Sequence, residues 1–173
     1  MKIRIAGVVS DSIVDGPGLR FALFVQGCPH HCPGCHNPQT HDPQGGFEVT
    51  TESLLKEILS DPLLDGVTFS GGEPLMQPVP LTEMAREINK QGLNIIVYTG
   101  FLWEDIVKAN RSDWNDLLKN VDVLVDGPFV KSLRDWQLQY KGSSNQRYID
   151  VKHSLAEGRL VEIESLERMP ACA

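Results

Sequence analysis

Leu19-Arg20-Phe21-Ala22-Leu23-Phe24-Val25-Gln26-Gly27-Cys28-Pro29-His30-His31-Cys32-Pro33-Gly34-Cys35-His36-Asn37 runs from a nearly continuous apolar segment straight into three closely spaced cysteines. Residues 19–26 have the composition of a strand buried on both faces, as in a parallel sheet covered by helices. The cysteine loop then falls at that strand's C-terminal end. Thiolates spaced x3 and x2 can hold three corners of a 4Fe-4S cube and leave the fourth iron open, whereas ordinary electron-transfer clusters use four cysteines. Gly27 and Gly34 can bring backbone amides close to the sulfurs, and Pro29 and Pro33 keep the segment out of a regular helix. The same spacing also suits a zinc knuckle completed by His30, His31 or His36.

Working outward, Lys2 to Val9 reads as a first strand, followed by the turn Asp15-Gly16-Pro17-Gly18. After a polar loop reaching Val49, Thr50 is placed to cap a helix with Leu54, Leu55, Ile58 and Leu59 on one face, ended by Asp61-Pro62. Short apolar strands follow at 66–69, 93–98 and 121–125. Between them lie a helix opened by Pro78 or Pro80 and closed by Gly92, and two shorter helices at 102–109 and 114–119, the last capped by Asp113. This recurrence predicts βαβ units in a parallel sheet. The unusual polar or glycine-rich segments, the cysteine loop, Ser70-Gly71-Gly72-Glu73-Pro74, Thr99-Gly100 and Asp126-Gly127-Pro128, all fall at strand C-termini, the edge where such sheets bind ligands. A closed barrel typically takes about 250 residues, so 173 residues predict an open partial (β/α) barrel. Beyond 126 the reading thins to a strand at 148–151, a charged edge strand at 160–164 and a loose tail from about 164.

The chain is 41% hydrophobic, enough for a single domain with one core over residues 1–173. No signal peptide or membrane span is expected, which points to a cytoplasmic protein. Three cysteines within eight residues read as metal ligands in a reducing compartment; Cys172, near the end of the tail, receives no role. The net charge of minus 7 argues against a nucleic-acid partner. The segment from Gly127 to Tyr148 nevertheless carries Lys131, Arg134, Lys141 and Arg147 against Asp135 alone, a local balance of plus 3. It is a candidate docking surface.

The cysteine loop together with Ser-Gly-Gly-Glu-Pro resembles the radical S-adenosylmethionine superfamily. Asp-Gly-Pro-Gly (15–18), Cys-Pro-Gly-Cys (32–35), Ser-Gly-Gly-Glu-Pro (70–74), Val-Leu-Val-Asp-Gly (123–127) and Gly-Ser-Ser-Asn-Gln (142–146) further resemble the glycyl-radical-enzyme activases, in the branch acting on anaerobic ribonucleoside-triphosphate reductase. The resemblance implies one 4Fe-4S cluster on Cys28, Cys32 and Cys35, with S-adenosylmethionine chelating the open iron. It further implies that Gly71, Gly72 and Glu73 meet the methionine ammonium, and that Thr99 and Asp126 lie near the methionine carboxylate and an associated cation. The position before the third cysteine, often aromatic in the superfamily, is Gly34, which leaves His36 as the candidate to seat adenine. The implied reaction is reductive cleavage to methionine and a 5'-deoxyadenosyl radical, which removes hydrogen from a backbone glycine of the partner. An electron donor such as flavodoxin or ferredoxin would supply the electron. Pyruvate formate-lyase or another glycyl-radical enzyme as partner, a small-molecule substrate, and the zinc-binding interaction module are the alternatives.

Overall fold

The computed structural model describes residues 1–166. Eight strands form one sheet in the order β3-β1-β2-β4-β5-β6-β7-β8, with β1 Lys2–Ser12, β2 Arg20–Val25, β3 Phe47–Thr50, β4 Gly66–Gly71, β5 Asn94–Tyr98, β6 Val123–Asp126, β7 Arg147–Asp150 and β8 Glu162–Ile163. β3 and β8 are free edges, so the sheet is an open partial barrel. The central β2, β4, β5 and β6 run parallel. The sheet as a whole is mixed rather than parallel, because β1, β3, β7 and β8 join antiparallel. A parallel neighbour needs a long crossover; only the short loop 13–19 that holds Asp-Gly-Pro-Gly separates β1 from β2, and no α-helix, only the 3-10 turn Lys131–Leu133, folds between β6 and β7.

Helices α1 Thr51–Ser60, α2 Pro78–Lys90, α3 Trp103–Ala109 and α4 Ser112–Leu118 cover one face. Their buried residues, Leu54, Ile58, Leu81, Met84, Ala85, Ile88, Ile106 and Leu117, join Phe21, Leu23, Val25, Val67, Phe69, Ile95 and Val97 of the strands in one core. Thr50 Oγ1 accepts from Ser53 N and caps α1 as expected, although Leu59 on the expected apolar face is exposed. In α4 the capping position falls on Arg111; Asp113 lies inside the first turn, held by the Arg111 guanidinium. Two elements escaped the sequence reading. β3 lies within the expected polar loop and at its end, with only Val49 half-buried, so its alternation is weak. α5 Val151–Glu157 is capped by Asp150 and ended by Gly158 in the left-handed region.

The opposite face carries a smaller apolar cluster, Ile96, Val123, Val125, Tyr148 and Leu166. The Tyr98 hydroxyl donates to Tyr140 O at 2.8 Å and the Tyr148 hydroxyl to Gln139 O, which pins the segment after β6 over this face. Leu166 is buried here, so the tail expected from about 164 begins packed; Cys172 lies outside the described residues. Arg20, in the run read as apolar, is also wholly buried. It donates to Thr68 Oγ1, Asn94 Oδ1, Val67 O and Pro17 O, and so ties the Asp-Gly-Pro-Gly turn to three strands. Burial lowers its pKa to about 10, which leaves it charged at neutral pH.

Candidate radical site at the strand ends

The loop after β2 and the loop after β4 are joined main chain to main chain. Gly72 N donates to Val25 O and Glu73 N to Gly27 O, both at 2.8 Å. This approach requires glycine: a Cβ on Gly72 would lie 2.4 Å from Gly27 O, and one on Gly71, at φ +98°, would lie 2.6 Å from Phe24 Cα. The Gly-Gly pair therefore sets the distance between the Ser-Gly-Gly-Glu segment and the residue preceding Cys28.

Glu73 is wholly buried and its carboxylate is committed to protein donors. Leu75 N donates to Oε1 at 3.0 Å, Gly100 N to Oε2 at 2.9 Å, and Thr99 Oγ1 lies 2.9 and 3.0 Å from the two oxygens. His30 Nε2 completes the set at 2.8 Å from Oε2, and because a carboxylate only accepts, this nitrogen carries the hydrogen. The His30 ring meets Phe101 edge-on at 4.5 Å and fills the notch at Gly100, where a Cβ would lie 2.4 Å from His30 Cδ2. One buried carboxylate thus fastens the cysteine loop, the Ser-Gly-Gly-Glu segment and the Thr-Gly segment together. Sequence reasoning had weighed His30 only as a zinc ligand; its partner lies 43 residues away and leaves no local signal.

Cys28, Cys32 and Cys35 are free thiols of intermediate exposure on this loop. Cys35 N donates to Cys32 O at 3.0 Å, closing the turn between them, and Asn37 N points at Cys35 Sγ at 3.3 Å. Burial pushes the Cys28 thiol above its ordinary pKa. Three thiols on one loop, with an N–H directed at a sulfur, are a donor set that fits a 4Fe-4S cluster. The histidines offered by the zinc alternative have other contacts: His30 bonds Glu73, His31 meets His41 edge-on at 4.8 Å, and His36 lies 4.9 Å from Phe129.

Asp126 and His36 stand apart from the Glu73 cluster. Asp126 is wholly buried, accepts from Trp103 N at 2.8 Å at the start of α3, and is gripped by Arg147 Nε at 3.0 Å and Nη2 at 2.5 Å. The same guanidinium grips Glu104 and holds its carboxyl down at about 2. Thr99 N bonds Val125 O, linking the ends of β5 and β6. His36 packs against a wall formed by Phe129 and Gly142.

The 4Fe-4S single cluster domain family matches residues 14–149. The anaerobic ribonucleoside-triphosphate reductase-activating protein of Escherichia coli K12 is 38% identical over 142 residues, 78% of this chain and 90% of that protein. Its counterpart from Enterobacteria phage T4 is 36% identical over 78% of this chain and 85% of that one. The pyruvate formate-lyase-activating enzyme of Clostridium pasteurianum is 38% identical over 70% of this chain, but the chain spans only half of that enzyme's length. QueE from Escherichia coli, a solved structure, overlays 58% of this chain and 53% of that one at a TM-score of 0.47 and 18% identity. With most of its length inside the family match, the chain belongs to the 4Fe-4S single cluster domain family, in the branch of radical S-adenosylmethionine activating enzymes that holds the anaerobic ribonucleoside-triphosphate reductase-activating proteins.

Proposed function

We propose that this chain activates a glycyl-radical enzyme, with anaerobic ribonucleoside-triphosphate reductase as its partner. The observation that carries the reading is the main-chain pairing of Gly72 and Glu73 with Val25 and Gly27, which holds the Ser-Gly-Gly-Glu segment at the mouth of a three-cysteine loop. In this reading Cys28, Cys32 and Cys35 hold the cluster. When bound and reduced, the cluster supplies the electron that splits the sulfonium of S-adenosylmethionine.

The chain's own residues position the reactants and exclude water. Because the Glu73 carboxylate already serves four donor groups, the methionine ammonium takes its acceptors from the main chain of residues 71–73, and Glu73 with Thr99 keeps that main chain in place. Asp126 acts with Arg147 at the neighbouring strand end. His36, backed by Phe129, offers an aromatic wall for adenine in place of a side chain at Gly34. No helix among the described residues is long and apolar enough to cross a membrane, and free thiols suit action in the cytoplasm with a low-potential carrier such as flavodoxin or ferredoxin.

Pyruvate formate-lyase as partner is the second reading, favoured by the 38% identity to its activating enzyme. The test is anaerobic reconstitution with iron and sulfide, reduction, and addition of S-adenosylmethionine with each candidate partner in turn. 5'-Deoxyadenosine and a glycyl-radical signal in the reductase alone are expected. A signal only in pyruvate formate-lyase would transfer the assignment, and zinc without iron uptake would overturn it.

A further inference from the structure

Among the described residues Lys131, Arg134 and Lys141 form no ion pair; Arg20, Lys56, Arg86 and Lys108 form none either, but they are scattered along the chain. The first three fall within one short run of a chain whose net charge is minus 7. Arg134 lies 3.6 Å over the ring of Trp136, which is itself 82% exposed, and Lys141 lies 4.3 Å over Tyr148. Trp and Arg are both enriched among the residues that carry binding energy at interfaces, and leaving a Trp ring in water is unfavourable.

The same run borders the cysteine loop. A Cβ on Gly34 would lie 3.2 Å from the Lys131 side chain, and Pro33 joins Phe129, Val130, Lys131 and Ser132 around an open hollow of about 670 Å³. Pro33 and Gly34 are the two residues between Cys32 and Cys35, so a redox centre seated in this hollow rests against the residue that follows Cys32 and precedes Cys35 by two.

We propose that this basic, tryptophan-tipped surface is the docking site of an acidic one-electron carrier protein. The inference rests on the cluster assignment above. The donor's reduced flavin or iron–sulfur centre gives up one electron, the cluster's total charge falls by one, and no bond or proton on this chain changes. Positive charge on this rim attracts an acidic carrier and raises its encounter rate at low salt.

The experiment uses reconstituted holoprotein with reduced flavodoxin as the probe, comparing wild type with Arg134→Glu/Lys141→Glu and with Trp136→Ala. Cluster bleaching is followed by stopped flow, and flavodoxin affinity by calorimetry. We expect the double variant to lose about tenfold or more in bleaching rate and affinity at low ionic strength, with the difference shrinking as salt rises. Trp136→Ala should lose affinity at all salt concentrations. Bleaching by dithionite, which needs no docking, should be unchanged in both variants. Unchanged flavodoxin kinetics would overturn the proposal. So would a loss confined to glycyl-radical yield with dithionite as reductant, which would assign the surface to the partner enzyme. Failure of dithionite to bleach wild-type protein would instead overturn the cluster reading itself.

Discussion

Glu73 sits at the meeting point of three loops, and its value lies in being an acceptor for every donor that faces it. Glu73→Gln keeps the shape but turns an NH2 group toward N–H and O–H donors. A cost of about 3 kcal/mol is expected in urea unfolding of the cluster-free protein, because buried donors lose their partner. Gly72→Ala should be equally damaging for a steric reason, since its Cβ would fall 2.4 Å from Gly27 O; activity and unfolding midpoint are expected to fall together. Gly158→Ala meets nothing within 4 Å and bears only the left-handed φ of +65°, so a loss near 1 kcal/mol is expected there. The glutamate and its two glycines were legible in the sequence as a motif. Their partners His30, Thr99, Gly100 and Gly27 were not, because hydrogen bonds across 26 to 46 residues follow no local period.

At the level of elements, the chain's helices follow from capping chemistry and apolar spacing. Thr50 caps α1 through its hydroxyl, so Thr50→Ala should lower stability by about 1 kcal/mol. Asp113→Ala removes no N-cap, only the ion pair with Arg111 and a hydrogen bond from Trp114 N, so a loss of about 0.5–1 kcal/mol is expected by chemical unfolding. The capping rule placed the start of α1 correctly and misplaced that of α4 because an Asp in the first turn of a helix looks the same in sequence as an Asp at its boundary. Strand β3 escaped for a related reason: an edge strand with a single half-buried residue has almost no burial to impose an alternating pattern. Arg147 ties β7 to α3 through Asp126 and Glu104. Because Glu104 titrates at about 2 in the folded chain against an ordinary 4.5, the stability from this contact is present above 4.5 and drains away as pH falls toward 2. Glu104→Gln should flatten that part of the acid unfolding curve, by a small amount given the carboxylate's exposure.

Across the whole molecule, one open sheet carries four parallel strands, with the cysteine loop and the Ser-Gly-Gly-Glu segment at their C-terminal edge and α1 to α4 covering one face. None of the three thiols belongs to the apolar core, so Cys32→Ala is expected to abolish iron uptake and 5'-deoxyadenosine formation while leaving the melting temperature of the cluster-free protein within a few degrees. Sequence alone determined the three-cysteine spacing, the Ser-Gly-Gly-Glu motif, the parallel centre of the sheet and the strand edge on which both segments lie, because residue spacing and strand burial are written into consecutive residues. Only the tertiary structure decided that the flanking strands run antiparallel, that Arg20 is buried among polar groups, that Glu73 is spent on His30 and Thr99, and that Lys131, in a run with the likewise unpaired Arg134 and Lys141, lies beside Gly34 of the cysteine loop. Each of those depends on which distant segments the closing of the sheet brings within a few ångströms, and that is a property of packing rather than of any stretch of chain.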